Sequence, residues 1–241
     1  MKLHVLATGS AGNCYVLRSS KGEALIIDCG VKAKQIKEFF NFDLSQVVGC
    51  LVTHEHQDHA SGVKELAALG VDIYTNHKAT DTIFFGHRVY QFIMDGDKFR
   101  PQQIGSFTIY PFWVKHDVPC TGFIIVHPEC GRSLFITDSY YCPYTFEGLN
   151  NIIIEANYSE SIIKKHYGES KEFLKDRIYN SHMSFETYCN FLLANDLSEV
   201  RNIVLIHLSD SNSDAEMFKQ KTKAFTGKPV TIAENGISIN L

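Results

Sequence analysis

Val47-Val48-Gly49-Cys50-Leu51-Val52-Thr53-His54-Glu55-His56-Gln57-Asp58-His59 runs from an apolar segment straight into three histidines and an aspartate. The apolar part reads as a buried strand, and its polar end as a site built where that strand stops. The chain holds 11 histidines, and three within six positions are more than ordinary packing gathers. In an extended segment side chains alternate, so His54, His56 and Asp58 are expected on one side and Glu55 and Gln57 on the other. Residues Val63 to Leu69 read as a helix, which places His59 near its first turn and within reach of the same cavity. Imidazole and carboxylate are the usual ligands of zinc and related ions. His54 with His56, and Asp58 with His59, can therefore each begin a metal centre. The plain alternative is a polar loop whose histidines satisfy backbone groups.

A metal needs more donors than six residues supply, and three further candidates stand at the ends of apolar runs. His116 follows Phe107 to Lys115, Asp138 follows Ser133 to Thr137, and His207 follows Ile203 to Ile206. Singly each is weak, because a lone histidine after a strand is more often a loop or core residue and an aspartate there is usually a turn former. Their order gives them weight.

The pattern H-x-H-x-D-H, then a downstream histidine, an aspartate after a strand and a final histidine resembles the metallo-beta-lactamase fold superfamily over essentially the whole chain. Ala7-Thr8-Gly9-Ser10-Ala11-Gly12-Asn13, His182-Met183-Ser184 and His207-Leu208-Ser209 are similar to motifs of its bacterial WalJ (YycJ) group. The resemblance implies an α/β fold, a four-layer αββα sandwich of two facing mixed sheets. It also implies two divalent metal ions, zinc first, with manganese or iron as alternatives. One ion would take His54, His56 and His116, the other Asp58, His59 and His207, with Asp138 between them. An aspartate rather than a cysteine at the bridging position points toward phosphodiesters and esters rather than lactams. For the WalJ group the implied activity is 5'-to-3' exonucleolytic cleavage of DNA. The chain departs from the pattern at Ser139-Tyr140-Tyr141, where glycine is frequent, and at Met183, where leucine is expected.

Length and composition agree with one soluble domain spanning residues 1–241. A chain of 241 residues with 44% hydrophobic and 21% charged content can bury a sizeable core, and it carries no linker or repeat that marks a boundary. The residues between Asp138 and His207 leave room for helices but not for an inserted domain of about 100 to 150 residues. No apolar stretch approaches the roughly 18 residues of a membrane span, and Met1 to Leu6 turn polar too early for a signal peptide. Seven cysteines form no C-x-x-C pair and read as free buried thiols, which suits a cytoplasmic protein.

The expected mechanism is in-line attack by a metal-bridging hydroxide on a phosphodiester, with Asp58 accepting its proton and His182 donating one to the leaving oxygen. Ser184 before Phe185, and the S-x-x-E stretch Ser213-Asp214-Ala215-Glu216, read as helix caps, which sets His182 and His207 on loops entering helices. A structural loop histidine is the other reading of His182. The Gly9 to Asn13 loop is either a phosphate nest or a plain turn. Tyr140, Tyr141, Tyr144 and Phe146 either stack on bases or pack on the fold. Lys164, Lys165, Lys171, Lys175 and Arg177 are interleaved with Glu160, Glu169, Glu172 and Asp176, as on a solvated helical face. A net charge of −4 shows no general basic excess, so a nucleic-acid partner would need a local patch. The expected partner is nucleic acid, DNA ahead of RNA, or a small phosphodiester or ester; oligomeric state is left open. The competing functions are hydrolysis of a small ester, thioester, lactone or cyclic phosphodiester, and a non-catalytic metal-binding sensor.

Overall fold

The computed structural model describes residues 1–79, 86–167 and 172–241. Strands β1 (Lys2–Ala7), β2 (Cys14–Arg18) and β3 (Ala24–Ile27) form an antiparallel meander. Helix α1 (Ala33–Phe39) carries the chain across to β4 (Val47–Leu51), which lies parallel to β3. Helices α2 (Gln57–Ala60) and α3 (Val63–Ala68) follow, then the short parallel strands β5 (Ile73–Thr75) and β6 (Val89–Gln91). A two-stranded ribbon, β7 (Met94–Asp95) with β8 (Lys98–Phe99), leads into the second sheet.

That sheet begins antiparallel, through β9 (Gln102–Ile104), β10 (Phe107–Val114), β11 (Cys120–His127) and β12 (Gly131–Ile136). Strand β13 (Asn151–Glu155) then pairs parallel to β12. Helices α4 (Glu160–Tyr167), α5 (Glu172–Ser181) and α6 (Phe185–Ala194) lead to the parallel strand β14 (Asn202–Ile206). Helix α7 (Ala215–Thr226), β15 (Val230–Ile232) and β16 (Ser238–Asn240) close the described chain. The strand orders are β16-β1-β2-β3-β4-β5-β6 and β15-β14-β13-β12-β11-β10-β9, so both sheets are mixed and seven-stranded.

Burial explains the layers. The strands β3 and β13 are buried at every position, and β3 and the Ile152 to Ile154 centre of β13 are apolar throughout because both of their faces are covered. Leu17, Tyr15, Phe123, Phe135, Ile153 and Val204 form a core between the sheets, with Tyr15 and Phe135 edge to face at 5.3 Å. A second apolar cluster joins the outer face of the first sheet to α1 and α3, and a third joins the second sheet to α6 and α7. The result is the expected αββα sandwich.

Two local expectations need correction. The chain does not stay extended through the histidine cluster: it enters α2 at Gln57, with His56 at its N-cap, so Asp58 and His59 are aimed by a helical turn rather than by strand alternation. The cap of α7 is Asp214, whose side chain accepts from Met217 N, while Ser213 Oγ turns back to Ser209 O. Ser184 caps α6 as expected, accepting from Thr187 N at 3.0 Å. His182 and His207 both lie on loops that lead into helices, as expected, His207 on the one between β14 and α7. Of the basic helical residues, Lys171 and Glu169 lie outside the described residues, as do the side chains of Lys175 and Glu172.

Candidate metal centre

All eight residues singled out in the sequence meet at the carboxyl ends of the strands. His54 stands just beyond β4, His116 just beyond β10, Asp138 just beyond β12 and His207 at the end of β14. Parallel pairing of β3 with β4, and of β13 with both β12 and β14, brings those ends together on one rim. Asp28, Asp138 and His207 have φ of 57, 45 and 54°, a left-handed backbone that turns each strand end sharply into the rim. Such strain costs about 1–3 kcal/mol per residue and is concentrated at functional sites.

Donor atoms within 4.8 Å of one another form four groups among the described residues: His54, His56 and His116; Asp58, His59 and His207; His54, His59 and Asp138; and Asp138, Glu155, His182 and His207. His59 Nε2 lies 2.5 Å from Asp138 Oδ2 and 3.4 Å from Asp58 Oδ2. His207 Nε2 lies 3.7 Å from Asp138 Oδ1 and 3.9 Å from Asp58 Oδ2. His116 Nε2 and His56 Nδ1 are 3.4 Å apart.

Outer partners fix which nitrogen faces inward. Thr53 Oγ1 donates to Asp28 and accepts from His54 Nδ1 at 3.0 Å, which leaves His54 Nε2 without a proton. Asp28 Oδ2 accepts from His59 Nδ1 at 2.7 Å. Ser181 O accepts from His116 Nδ1 at 2.8 Å, and Glu155 Oε1 lies 3.2 Å from His207 Nδ1. In each case the second ring nitrogen is turned to the centre, the arrangement by which outer groups orient metal-binding imidazoles.

The sequence reading missed Asp28 and Glu155. Each is a fully buried carboxylate at the end of an apolar strand, and a charge ending such a run was the available signal. Glu155 receives Ser139 N at 3.1 Å, Met183 N at 3.2 Å and His182 Nδ1 at 2.7 Å, so it ties the Asp138 loop to the His182 loop. His182 is also 3.0 Å from Asp138 Oδ1 and stacks on His207 at 5.2 Å. The Gly9 to Asn13 loop is a turn: Gly12 N donates to Gly9 O, Gly9 N to Asn13 Oδ1 and Asn13 N to Asp58 O. Asn13 Nδ2 reaches His59 Nε2 at 3.0 Å, so the loop buttresses the centre. Gly30 passes so close to α2 that a Cβ there would meet Asp58 O at 1.6 Å, and only glycine fits.

Electrostatics show the same demand for cations. Burial alone would lower His59, but Asp138 and Asp28 raise it well above its ordinary value. Burial likewise opposes, and Glu155 and Asp138 outweigh it, for His182, which is raised to about 10. His207 is raised to about 9 against its burial, chiefly by Asp138 and Asp58. Asp138 is held well below the carboxylate range, its burial overcome by His207 and His59. His54 is driven well below its ordinary value by burial, so it stays neutral. His54 Nε2 and His207 Nε2 are buried with no hydrogen-bond partner. An orphaned buried polar atom costs about 1–3 kcal/mol, and lone pairs aimed at a carboxylate-rich cavity are what a divalent cation satisfies. The donor set therefore fits metal ions.

Residues 7–133 match the Metallo-beta-lactamase superfamily. The chain is 28% identical over 232 residues to the exodeoxyribonuclease WalJ of Streptococcus pneumoniae serotype 2, covering 90% of this chain and 84% of that protein. It is 28% identical over 236 residues to the exodeoxyribonuclease YycJ of Bacillus anthracis, covering 90% and 86%. Among solved structures, the metallo-beta-lactamase fold protein YhfI of Bacillus subtilis superposes with a TM-score of 0.74 at 18% identity, covering 99% of this chain and 98% of that one. The matched segment holds the histidine cluster and His116, the remaining donors arrive on the second sheet of the same fold, and the chain thus belongs to the metallo-beta-lactamase superfamily of hydrolases.

Proposed function

We propose that this protein is a dinuclear metal-dependent phosphodiesterase acting as a 5'-to-3' DNA exonuclease, folded as one domain over residues 1–241. The observation that carries this reading is the juxtaposition of two donor triads, His54, His56, His116 and Asp58, His59, His207, with Asp138 in reach of both. The similarity to proteins named exodeoxyribonucleases supports the substrate class. Bound to those residues, two divalent ions, zinc first for so imidazole-rich a set, would polarise the phosphodiester and activate water near neutral pH.

The chain's own groups supply the rest. Asp58 directs Oδ2 at His59 and His207 and has a side chain 29% exposed, so its other oxygen is free to take a proton from the attacking water. His182 is held at Nδ1 by Glu155 and Asp138, a pair of carboxylates that favours the charged ring, and its Nε2 is the proton donor for the leaving oxygen. Thr53, Asp28, Ser181 and Glu155 keep the imidazoles oriented, so little reorganisation accompanies the reaction. Seven free cysteines, six of them buried, suit a reducing cytoplasmic location, and no described helix is long and apolar enough to cross a membrane.

The test offers metal-loaded protein end-labelled single-stranded and duplex DNA, matching RNA, a cyclic dinucleotide, a lactone and a thioester, with Asp58→Ala and His56→Ala as blanks. Stepwise release of nucleotides from the 5' end is expected. Turnover of the small esters alone would replace the nuclease reading, and two bound metals with no turnover would favour a sensor. His182→Gln should lower kcat by about 10²-fold or more with metal content unchanged; loss of metal alongside activity would make His182 structural.

A further inference from the structure

Two clefts open on either side of Tyr144. One, of about 220 Å³, is walled by Phe99, Phe112, Trp113 and Tyr144, with Lys98 and Asp97 also lining it. The other, of about 340 Å³, lies between Tyr141 and Tyr144 on one side and α6 on the other, where Thr187, Asn190 and Phe191 face it. Both clefts continue the loops that build the metal centre. Tyr141 is three residues past Asp138, and its carbonyl accepts from Lys115 N, next to His116. Thr187 sits in the first turn of the helix that His182 precedes.

The aromatic surface here is in excess of what packing uses. Phe146 packs on Phe112 at 4.9 Å and on Phe191 at 6.4 Å, and Trp113 packs on Phe99 at 4.7 Å and His77 at 5.9 Å, but Tyr141 and Tyr144 remain 52% and 43% exposed. Strand β9 pairs with β10 only at Phe107 to Ile109, so the edge of Pro111 to Trp113 that faces away from β11 has no strand partner among the described residues. The charge around it is basic. Lys78 Nζ stands 5.5 Å from the Trp113 ring, and Lys98 lines the first cleft. Asp95 is neutralised by Arg100 at 3.1 Å, which leaves Asp97 as the opposing carboxylate at the cleft. In a chain of net charge −4, a local group of lysines among flat rings is a departure from the whole. Exposed aromatic faces beside lysines bind unpaired bases and their phosphates, whereas the bases of a duplex are already stacked and cannot enter.

We propose that these clefts hold unpaired bases of a single-stranded nucleic acid, stacked on Tyr144 beside Trp113 with Lys78 and Lys98 at the phosphates, beside the phosphodiester presented to the centre. This rests on the phosphodiesterase reading. Trp113 is the single tryptophan of the chain, so its emission reports occupancy of the cleft without reference to turnover. The metal-loaded protein is titrated with oligothymidylate carrying cleavage-resistant phosphorothioate linkages, and with a duplex of the same length. Saturable quenching by the single strand, at least tenfold weaker with duplex, is expected. Tyr144→Ala should weaken single-strand binding about tenfold, within the range of one lost stack. Tyr110→Ala, exposed on β10 but outside both clefts, should leave it unchanged. Far-ultraviolet circular dichroism and a cooperative thermal transition like the wild type's check that the free variants fold. No quenching in a protein that still degrades single-stranded DNA would overturn the cleft assignment and leave the phosphodiesterase reading standing. Equal quenching by duplex would also overturn it. Quenching in a protein that cleaves no nucleic acid would instead remove the phosphodiesterase reading, and with it the placement of the adjoining phosphate.

Discussion

Asp28 accepts from His59 Nδ1 at 2.7 Å and from Thr53, and Thr53 in turn accepts from His54. One buried carboxylate therefore orients an imidazole in each of the two donor triads, and its sequence signal was only a charge ending the apolar run Ala24 to Ile27. Its influence is readable only as a hydrogen-bond chain. Asp28→Asn removes the charge that supports His59 and offers a donor where an acceptor is needed. Metal affinity should fall about 10–100-fold at both sites, with secondary structure retained. Thr53→Val should weaken chiefly the His54 triad. Competition with a chromogenic chelator measures both, and an affinity in Asp28→Asn equal to the wild type would remove the orienting role.

Elements are joined by contacts between turns as well as by the core. Glu129, in the turn between β11 and β12, accepts Ser20 N at 2.9 Å and Ser20 Oγ at 2.7 Å from the turn between β2 and β3, so it clips one sheet to the other. Those Ser20 hydrogen bonds, with the Met1 amino group, pull the Glu129 carboxyl from 4.5 down to about 2. A carboxyl lowered on folding stabilises the fold above its unfolded value and ceases to do so as pH falls through its folded value. The melting temperature of Glu129→Gln should therefore lie below that of the wild type by a constant margin from pH 7 to about 4.5. The margin should shrink as pH drops toward 2; a margin independent of pH would show that the ion is not its source. At this scale the sequence is legible where elements are long. Runs such as Cys14–Arg18, Phe107–Val114 and Asn202–Ile206 are evident from their apolar residues. Strands β5, β6, β15 and β16, of three residues each, are too short to show a period and exist because neighbouring strands offer hydrogen bonds.

Across the whole molecule, the donors come from both sheets: His54 and His59 from the first, His116, Asp138 and His207 from the second. A cation bound among them crosslinks the two halves of the sandwich and binds the folded state alone. Exhaustive chelation should therefore lower the melting temperature. By mass action the stabilisation amounts to about 2.7 kcal/mol when free metal is 100 times its Kd, and it grows with metal concentration. Scanning calorimetry over a metal titration checks this, and a melting temperature indifferent to metal would contradict a centre shared between the sheets.

The sequence by itself determined the donor types, their order along the chain and the strands that end in them. The cluster at His54 to His59 is local, and apolar runs announce buried strands whatever their neighbours. Tertiary structure alone decided how those donors are aimed. The turn into α2 is set by Gly30 and Asn13 pressing on its backbone, and the imidazole orientations by Asp28 and Glu155 from strands distant in sequence. The clefts around Tyr144 belong to the same class, since they arise where β8, β10 and α6 are brought together. Such long-range placement depends on strand pairing and packing, which leave no periodic trace in a single sequence.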